Sequence, residues 1–311
     1  MKKIVVLVPA FNEESTIFKT VKALESLKEK LKKPDYDLKI IVIDDGSTDG
    51  TKKEAERAHA DAVISHPKNQ GLGAAVRTGL ETARLYNADI AVKFDADLQH
   101  NPLDIISLIK PLEHNNADIV YGHRFNRISY KMPFIRRIGN RVFTGLMRWL
   151  TGWDLKDSQP GIFAVNQNYL GIFRIPRDYN YTQQILLDAA CKRMQFSHVE
   201  VSFKERTHGK SFVSLKYPFK VFPQLFWVLV GVRPLKVFVP VGLFFIGSSS
   251  LVFVYQIIQY LSGITSTPVV NVNFVLGFGL FGLQVLLFGV LAELIAEIRS
   301  LLAHFRVTDK K

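Results

Sequence analysis

Cysteine is nearly absent: Cys191 is the single one in 311 residues. An intramolecular disulfide is thereby excluded, and the chain fits a reducing compartment. With no Cys/His cluster to offer soft ligands, a zinc site is not expected either. Nucleotide-binding signatures are missing as well. No G-x-G-x-x-G follows the first apolar run, which argues against a dinucleotide cofactor. The triplet Gly209-Lys210-Ser211 lacks the upstream glycine of a P-loop, which argues against an ATPase. No secretory signal is visible, because the apolar run Ile4 to Ala10 behind Met1-Lys2-Lys3 is short and flows into Asn12-Glu13-Glu14.

Charge of either sign is missing from two long stretches, Val237 to Leu261 and Val269 to Leu291. Each is long enough to cross a hydrocarbon core of about 30 Å as a helix. The flanks carry Arg233 and Lys236 before the first, and Arg299, Arg306, Lys310 and Lys311 after the second, whereas the link Ser262 to Pro268 is uncharged. The positive-inside rule predicts two spans, about 236–261 and 270–294 within a membrane segment 234–300, with the long N-terminal part and both termini cytoplasmic and 301–311 as a basic tail. The membrane is the cell membrane or one of the endoplasmic-reticulum type. A buried hairpin in a soluble core is the alternative, which such lengths disfavour.

Acid is missing from Arg124 to Arg148, which holds seven cations, at positions 124, 127, 131, 136, 137, 141 and 148. Ile135, Ile138, Val142, Leu146 and Trp149 fall on one helical stripe of the same segment. This predicts a basic amphipathic helix over 127–150 lying in the membrane interface, the alternative being a surface helix packed on a sheet. A second interfacial segment is expected over 212–233, with Lys216, Phe219, Lys220, Phe222, Phe226 and Trp227. The net charge of +12 is thus concentrated beside apolar membrane segments. With no stacking platform in view, nucleic-acid binding ranks last.

What is present up to residue 211 is an alternation of apolar runs and helical patterns. Strands are expected at Lys3–Pro9, Leu38–Ile43, Ala62–Ser65, Ile90–Val92 and Asp118–Tyr121, with helices between them, the pattern of a parallel sheet wrapped on both faces. Shorter strands follow at Ile162–Val165 and Ser197–Phe203, around a helix from Tyr181 to about Met194. Ligands bind such sheets at the carboxyl ends of the strands, where the polar clusters fall: Pro9 to Glu13, Asp44-Asp45, Gly71 and Gly73, and Asp95 to Gln99. If the fourth strand continues through Asp95-Ala96-Asp97, its alternation turns both carboxylates to one side, where they can share a hard cation. Taken alone, the same residues also read as an Asp-rich turn before the helix that Asn101-Pro102 begins. Glycines 71 and 73 before a helix can admit a phosphate to backbone N–H groups, although plain turns use them too.

Five motifs in order, Val8-Pro9-Ala10-Phe11-Asn12-Glu13, Asp44-Asp45-Gly46-Ser47-Thr48-Asp49, Asp95-Ala96-Asp97-Leu98-Gln99-His100, Gly122-His123-Arg124 and Arg206-Thr207-His208-Gly209-Lys210-Ser211, resemble the GT-A glycosyltransferases of family 2. The dolichol-phosphate mannose synthase branch is the most similar, and the two C-terminal spans resemble its polyprenyl-phosphate members with a two-helix anchor. The resemblance implies a GT-A catalytic domain over 1–211 and an inverting hexose transfer from a nucleotide-sugar, of GDP-mannose or UDP-glucose type, to a polyprenyl or dolichyl phosphate. It places Pro9, Phe11, Asn12, Glu13, Asp44, Asp45, Gly71, Asp95, Ala96 and Asp97 at the donor. Asp95, Asp97 and Gln99 would hold Mg²⁺ or Mn²⁺ on the diphosphate. Arg124, Arg136 or Arg137, Arg206, Lys210 and Ser211 would grip the lipid phosphate, with Asp157 and Gln159 of a D-x-Q-x-G element beside them. Catalysis would fall to Asp95, Asp97, Asp157 and Arg206. Pro160, Ile162 and Gln184 depart from the family pattern. An acceptor phosphate is already anionic, so a strong base is not required, and Asp157 would serve as one only for a sugar hydroxyl. A processive polysaccharide synthase is disfavoured by the lack of Q-x-x-R-W, and a silent lipid-binding scaffold by the intact carboxylate cluster.

Overall fold

The computed structural model describes residues 1–31, 36–114, 116–123, 134–175, 178, 181–203, 230 and 233–308. The chain divides into two compact units, Met1–Val221 and Phe222–Lys311. The boundary expected at 211–212, the interfacial segment 212–233 up to residue 229 and the residues from 124 to 133 lie outside the described residues.

The first unit is built on β1 (Lys2–Ala10) and β2 (Tyr36–Asp44), two parallel strands paired from Lys2↔Tyr36 to Ala10↔Asp44. Their Val and Ile runs are buried on both faces, which only a sheet covered on both sides permits. The remaining strands are β3 (Ala62–Ser65), β4 (Ile90–Lys93), β5 (Ile119–His123), β6 (Phe163–Asn166) and β7 (Phe196–Glu200), in the order β3-β2-β1-β4-β6-β5-β7. All pairings are parallel except those of β6, which runs antiparallel to both β4 and β5. The sheet is thus mainly parallel, as expected, with β6 the one antiparallel strand among the described residues.

The helices of this unit are α1 (Glu14–Leu31), α2 (Thr51–Arg57), α3 (Leu72–Leu85), α4 (Asp104–Glu113), α5 (Phe134–Thr151), α6 (Gln167–Ile172) and α7 (Tyr181–Cys191). Ile17, Val21, Leu24 and Leu27 of α1 are buried, a stripe of 3.6-residue spacing that faces the sheet. The last two turns of α5 have one buried and one outward face. They bury Thr144, Met147, Leu150 and Thr151, while Leu146 is half-buried and Trp149 is 53% exposed. The helix thus has a second apolar face, and the one singled out by periodicity points outward here.

The second unit is a hairpin of α8 (Leu235–Leu261) and α9 (Val272–Thr308). Each contains a 27-residue apolar stretch, about 40 Å of helix, long enough to cross a membrane. The basic tail expected at 301–311 is helical through Thr308. Each helix caps the start of the other. The Val270 and Asn271 N–H groups donate to Gln256 Oε1 at 2.6 and 2.9 Å, and the Leu235 N–H donates to Glu293 Oε2 at 3.2 Å. Ser249 Oγ donates to the Val275 carbonyl at 2.6 Å between them. The three backbone N–H bonds serve donors at or just before a helix start, where no intrahelical partner exists. Gln256→Leu is expected to destabilise the hairpin by about 1–2 kcal/mol, seen as a lower melting temperature of the purified chain in detergent, whereas Gln259→Leu, on a more exposed position, leaves it unchanged.

Candidate functional site

The strand order sets the location. The chain leaves β1 toward β2 on one side and β4 on the other, which opens a crevice at their carboxyl ends, where open sheets of this type bind ligands. Register brings the ends together: Ala10 pairs with Asp44, Asp44 with Ser65, and Leu7 with Lys93. The residues after each strand then line one rim.

The turn after β1 is laced to the turn after β2. Asn12 adopts φ +53°, its N–H donates to Ser47 Oγ at 3.0 Å, and its Oδ1 accepts from the Thr48 N–H at 2.9 Å. The Glu13 N–H donates to Thr51 Oγ1, and Asp44 Oδ1 accepts from the Ser47 N–H. Pro9, Phe11, Asn12, Glu13, Asp44 and Asp45 thus belong to one rim, as expected. Asp45 is used internally: it is buried, with Oδ1 against His66 Nδ1 at 2.7 Å and the Gln70 N–H at 3.0 Å, and Oδ2 accepting from the Gly71 N–H at 2.7 Å. His66 also meets Thr78 Oγ1 at 2.9 Å. Sequence reasoning missed His66, since nothing local marks it.

The glycine reading changes with the structure. The Gly71 N–H is taken by Asp45, and the Gly73 N–H donates to the Asp178 carbonyl at 3.0 Å. A Cβ on Gly73 would stand 2.2 Å from that carbonyl oxygen, so the residue is small because backbone approaches it. Arg77 clamps the same segment through the Ile175 carbonyl and Asp178 Oδ1. Neither glycine has its N–H to spare for a phosphate.

The carboxylates Asp95 and Asp97 are near each other for a different reason than strand alternation. β4 ends at Lys93, and the pair sits in the following turn, where Leu98 takes φ +62° and the Gln99 N–H donates to Asp97 Oδ1 at 3.1 Å. Thr20 of α1 donates to the Ala96 carbonyl at 2.9 Å and holds the turn down. Asp95 Oδ1 accepts from the buried Lys93 ammonium, and Asp95 Oδ2 faces His100 Nε2 at 3.7 Å. His100 packs edge-on to Phe94 and Phe203. Burial opposes ionisation of Asp95, yet the Lys93 ammonium holds its carboxyl well below the usual range. Burial and the Asp95 charge together push the Asp97 carboxyl up to about 6.

The 157–161 loop closes the same place. A Cβ on Gly161 would lie 2.2 Å from His100 Nε2 and 2.8 Å from Asp95 Oδ2, so only glycine lets the loop lie against the carboxylate. Asp157 is buried, with Oδ1 accepting from the Gln159 N–H at 2.9 Å, and Ser158 meets Thr144 of α5 at 3.2 Å. Gln184 is buried on α7. Of the predicted phosphate-gripping residues, Arg124, Arg206, Lys210 and Ser211 lie outside the described residues. Arg136 and Arg137 are on α5, with side chains outside the description.

The donor set suits a hard cation. Two carboxylates and the Gln99 amide would supply oxygen, and burial together with the neighbouring Asp95 charge disfavours a second negative charge at Asp97. Among the described residues no cluster of three or more His, Cys, Asp or Glu has metal-binding placement. A cation here would draw its remaining ligands from a bound diphosphate or water, as Mg²⁺ commonly does.

Comparison with known proteins adds to this geometry. The model of the family described as glycosyl transferase family 2 matches residues 5–171. An uncharacterized protein, MJ1222 of Methanocaldococcus jannaschii, is 39% identical over 165 residues, 52% of this chain and 64% of that protein, so the match spans less than two thirds of its length. The UDP-N-acetylglucosamine–dolichyl-phosphate N-acetylglucosaminyltransferase of Methanococcus voltae is 30% identical, covering 74% of this chain and 97% of its own. The dodecaprenyl-phosphate galacturonate synthase of Rhizobium johnstonii is 26% identical over 94% of this chain and 87% of its own. Among solved structures, glucosyl-3-phosphoglycerate synthase of Mycobacterium tuberculosis, in complex with Mn²⁺, UDP and glucosyl-3-phosphoglycerate, superposes with a TM-score of 0.57 at 23% identity, covering 74% of this chain and 79% of that one, a likeness of fold.

The crowding of the two acids predicts a pH-dependent effect in the metal-free protein. A carboxyl raised from 3.8 to about 6 costs stability that appears as pH climbs from 3.8 and is complete above 6. Asp97→Asn, which keeps an acceptor for the Gln99 N–H, is therefore expected to stabilise the chelator-treated protein by about 1–3 kcal/mol at pH 7.5 and to have no effect below about pH 4. Denaturant titration at the two pH values checks this.

Proposed function

This chain belongs to glycosyl transferase family 2, and we propose that it moves a hexose from a nucleotide-sugar to a polyprenyl or dolichyl phosphate, with inversion at the sugar carbon and dependence on Mg²⁺ or Mn²⁺. The observation that carries the reading is the Asp95–Asp97 pair, two carboxylates in one turn after β4 at the crevice between β1 and β4, with the Gly161 loop against them. Two relatives are named for transfer to dolichyl and dodecaprenyl phosphates, and one of them matches along 94% of this chain, through the two apolar helices. A membrane-length hairpin suits an acceptor that lives in a bilayer.

In this reading the first unit is the catalytic domain on the cytoplasmic face, α8 and α9 span the membrane, and the outer face of α5 with Arg141, Arg148 and Trp149 rests in the interface. The rim from Pro9 to Glu13, with Asp44 and Asp45 behind it, receives the base and ribose. Asp95, Asp97 and Gln99 would hold the cation, which would supply positive charge to the departing diphosphate. Arg124, Arg136, Arg137, Arg206, Lys210 and Ser211 hold the acceptor phosphate in line with the sugar carbon, and Gln159 orients it from the loop. An acceptor oxygen bonds to that carbon as the bond to the diphosphate breaks, and the nucleoside diphosphate leaves with the electron pair. The attacking phosphate is already anionic, so no side chain needs to remove a proton, and Asp157 serves to shape the loop.

The test is label transfer into the lipid phase, using purified chain, Mn²⁺, a polyprenyl phosphate and radiolabelled GDP- and UDP-sugars. Label in lipid that disappears on chelation is expected, with Asp97→Ala lowering turnover about 100-fold or more while the protein stays folded and membrane-bound. Transfer only to soluble hydroxyl acceptors such as 3-phosphoglycerate would contradict the acceptor assignment. Arg206→Ala is expected to raise the KM for lipid phosphate about tenfold and to leave nucleotide affinity unchanged, read from the two saturation curves.

A further inference from the structure

Lys93 ends β4 and is 1% exposed, so an ammonium is buried at the carboxyl end of a central strand. Its Nζ donates to Asp95 Oδ1 and, at 2.6 Å, to the Gly161 carbonyl, and it lies 5.6 Å from the centre of the Tyr181 ring. Three segments distant in sequence therefore meet on one cation: the carboxylate turn, the 157–161 loop and the first residue of α7. Stability alone does not account for it. Desolvating an ammonium costs several kcal/mol, and a buried ion pair commonly stabilises a fold no better than apolar side chains of the same volume. The best-attested use of such pairs is to fix which groups stand side by side.

The surroundings of Asp95 show what is fixed. On the opposite side His100 Nε2 is 3.7 Å from Asp95 Oδ2, and the missing Cβ of Gly161 is the space in which both sit. Asp95 is thus held from two sides, and the loop carrying Asp157 and Gln159 is wedged against it. Any shift of Asp95 is passed to Gly161 through a shared donor and through direct contact.

We propose that Lys93 is a positioning residue that couples the two halves of the site: by holding Asp95 to Gly161 it makes binding of a divalent cation and nucleoside diphosphate set the 157–161 loop for the acceptor phosphate. The coupling rests on the functional reading above. It is a free energy between two ligands, so it is reciprocal and measurable without turnover. Couplings of this kind change affinity by about 5–150-fold.

The experiment uses the full chain in detergent, farnesyl phosphate as the acceptor probe, and Mn²⁺ with GDP or with UDP. Farnesyl phosphate affinity is measured calorimetrically with and without the Mn²⁺–nucleotide, and Mn²⁺ binding separately by paramagnetic resonance. Wild-type affinity for farnesyl phosphate is expected to rise about tenfold when Mn²⁺ and nucleotide are present. Lys93→Met is expected to keep Mn²⁺–nucleotide binding and to lose that increase. Gly161→Ala, whose Cβ would press on His100 Nε2 and Asp95 Oδ2, separates the loop from the carboxylate and is expected to lose the increase as well, so a Lys93 variant that fails to fold does not leave the matter undecided. An undiminished increase in the variants, or none in the wild type, overturns the coupling. Loss of Mn²⁺ binding itself in the variants also overturns it, by making Lys93 part of the cation site alone. A wild-type chain that binds neither Mn²⁺–nucleotide combination overturns the functional reading instead.

Discussion

Two carboxylates in one turn repel, and the arrangement around Asp95 and Asp97 is a response to that repulsion. Lys93 neutralises the first, and Asp97 is left with an ionisation pushed up to about 6. The protein thus matches the charge of Asp95 with its own cation, while Asp97 sits half-buried beside that carboxylate. A scaffold protein would have no need to hold this pair, because replacing Asp97 by an amide would relieve the repulsion while leaving the Lys93–Asp95 pair intact. The local chemistry asks for a hard divalent cation, and the fold delivers the pair to the crevice where a diphosphate can accompany it.

The sheet makes this placement possible. Strands β1 and β2 are buried on both faces and aligned over their full length, so the turns that follow them end level with the turn after β4. Inserted strand β6 then carries the chain back beside β4, which sets the 157–161 loop immediately before Phe163 over the carboxylates. One antiparallel strand is enough to bring the loop bearing Asp157 and Gln159 to a site otherwise formed by parallel strand ends.

Much of this was legible in the sequence, because it depends on local patterns. Strand and helix positions followed from apolar periodicity, the two charge-free runs became α8 and α9, and the polar clusters after β1, β2 and β4 do share a rim. What was not legible depends on partners far along the chain. Lys93 reads as an ordinary strand residue until Gly161 and Tyr181 arrive beside it. Gly71 and Gly73 look like phosphate-binding glycines, yet Asp45 and Asp178 take their N–H groups. The outward stripe of α5 was visible, whereas the buried one, with Thr144 and Met147 on it, mixes polar and apolar types and escapes a periodicity count. Asp95 and Asp97 do share a turn, but not through strand alternation, since the strand stops at Lys93, four residues before Asp97.

The most direct test of the central claim is anomalous diffraction at the manganese edge from crystals of the chain grown with Mn²⁺ and a nucleoside diphosphate. The account predicts a single strong peak in contact with the carboxylates of Asp95 and Asp97 and with the diphosphate. A bound diphosphate with no manganese at these carboxylates, or manganese held elsewhere in the chain, would contradict it.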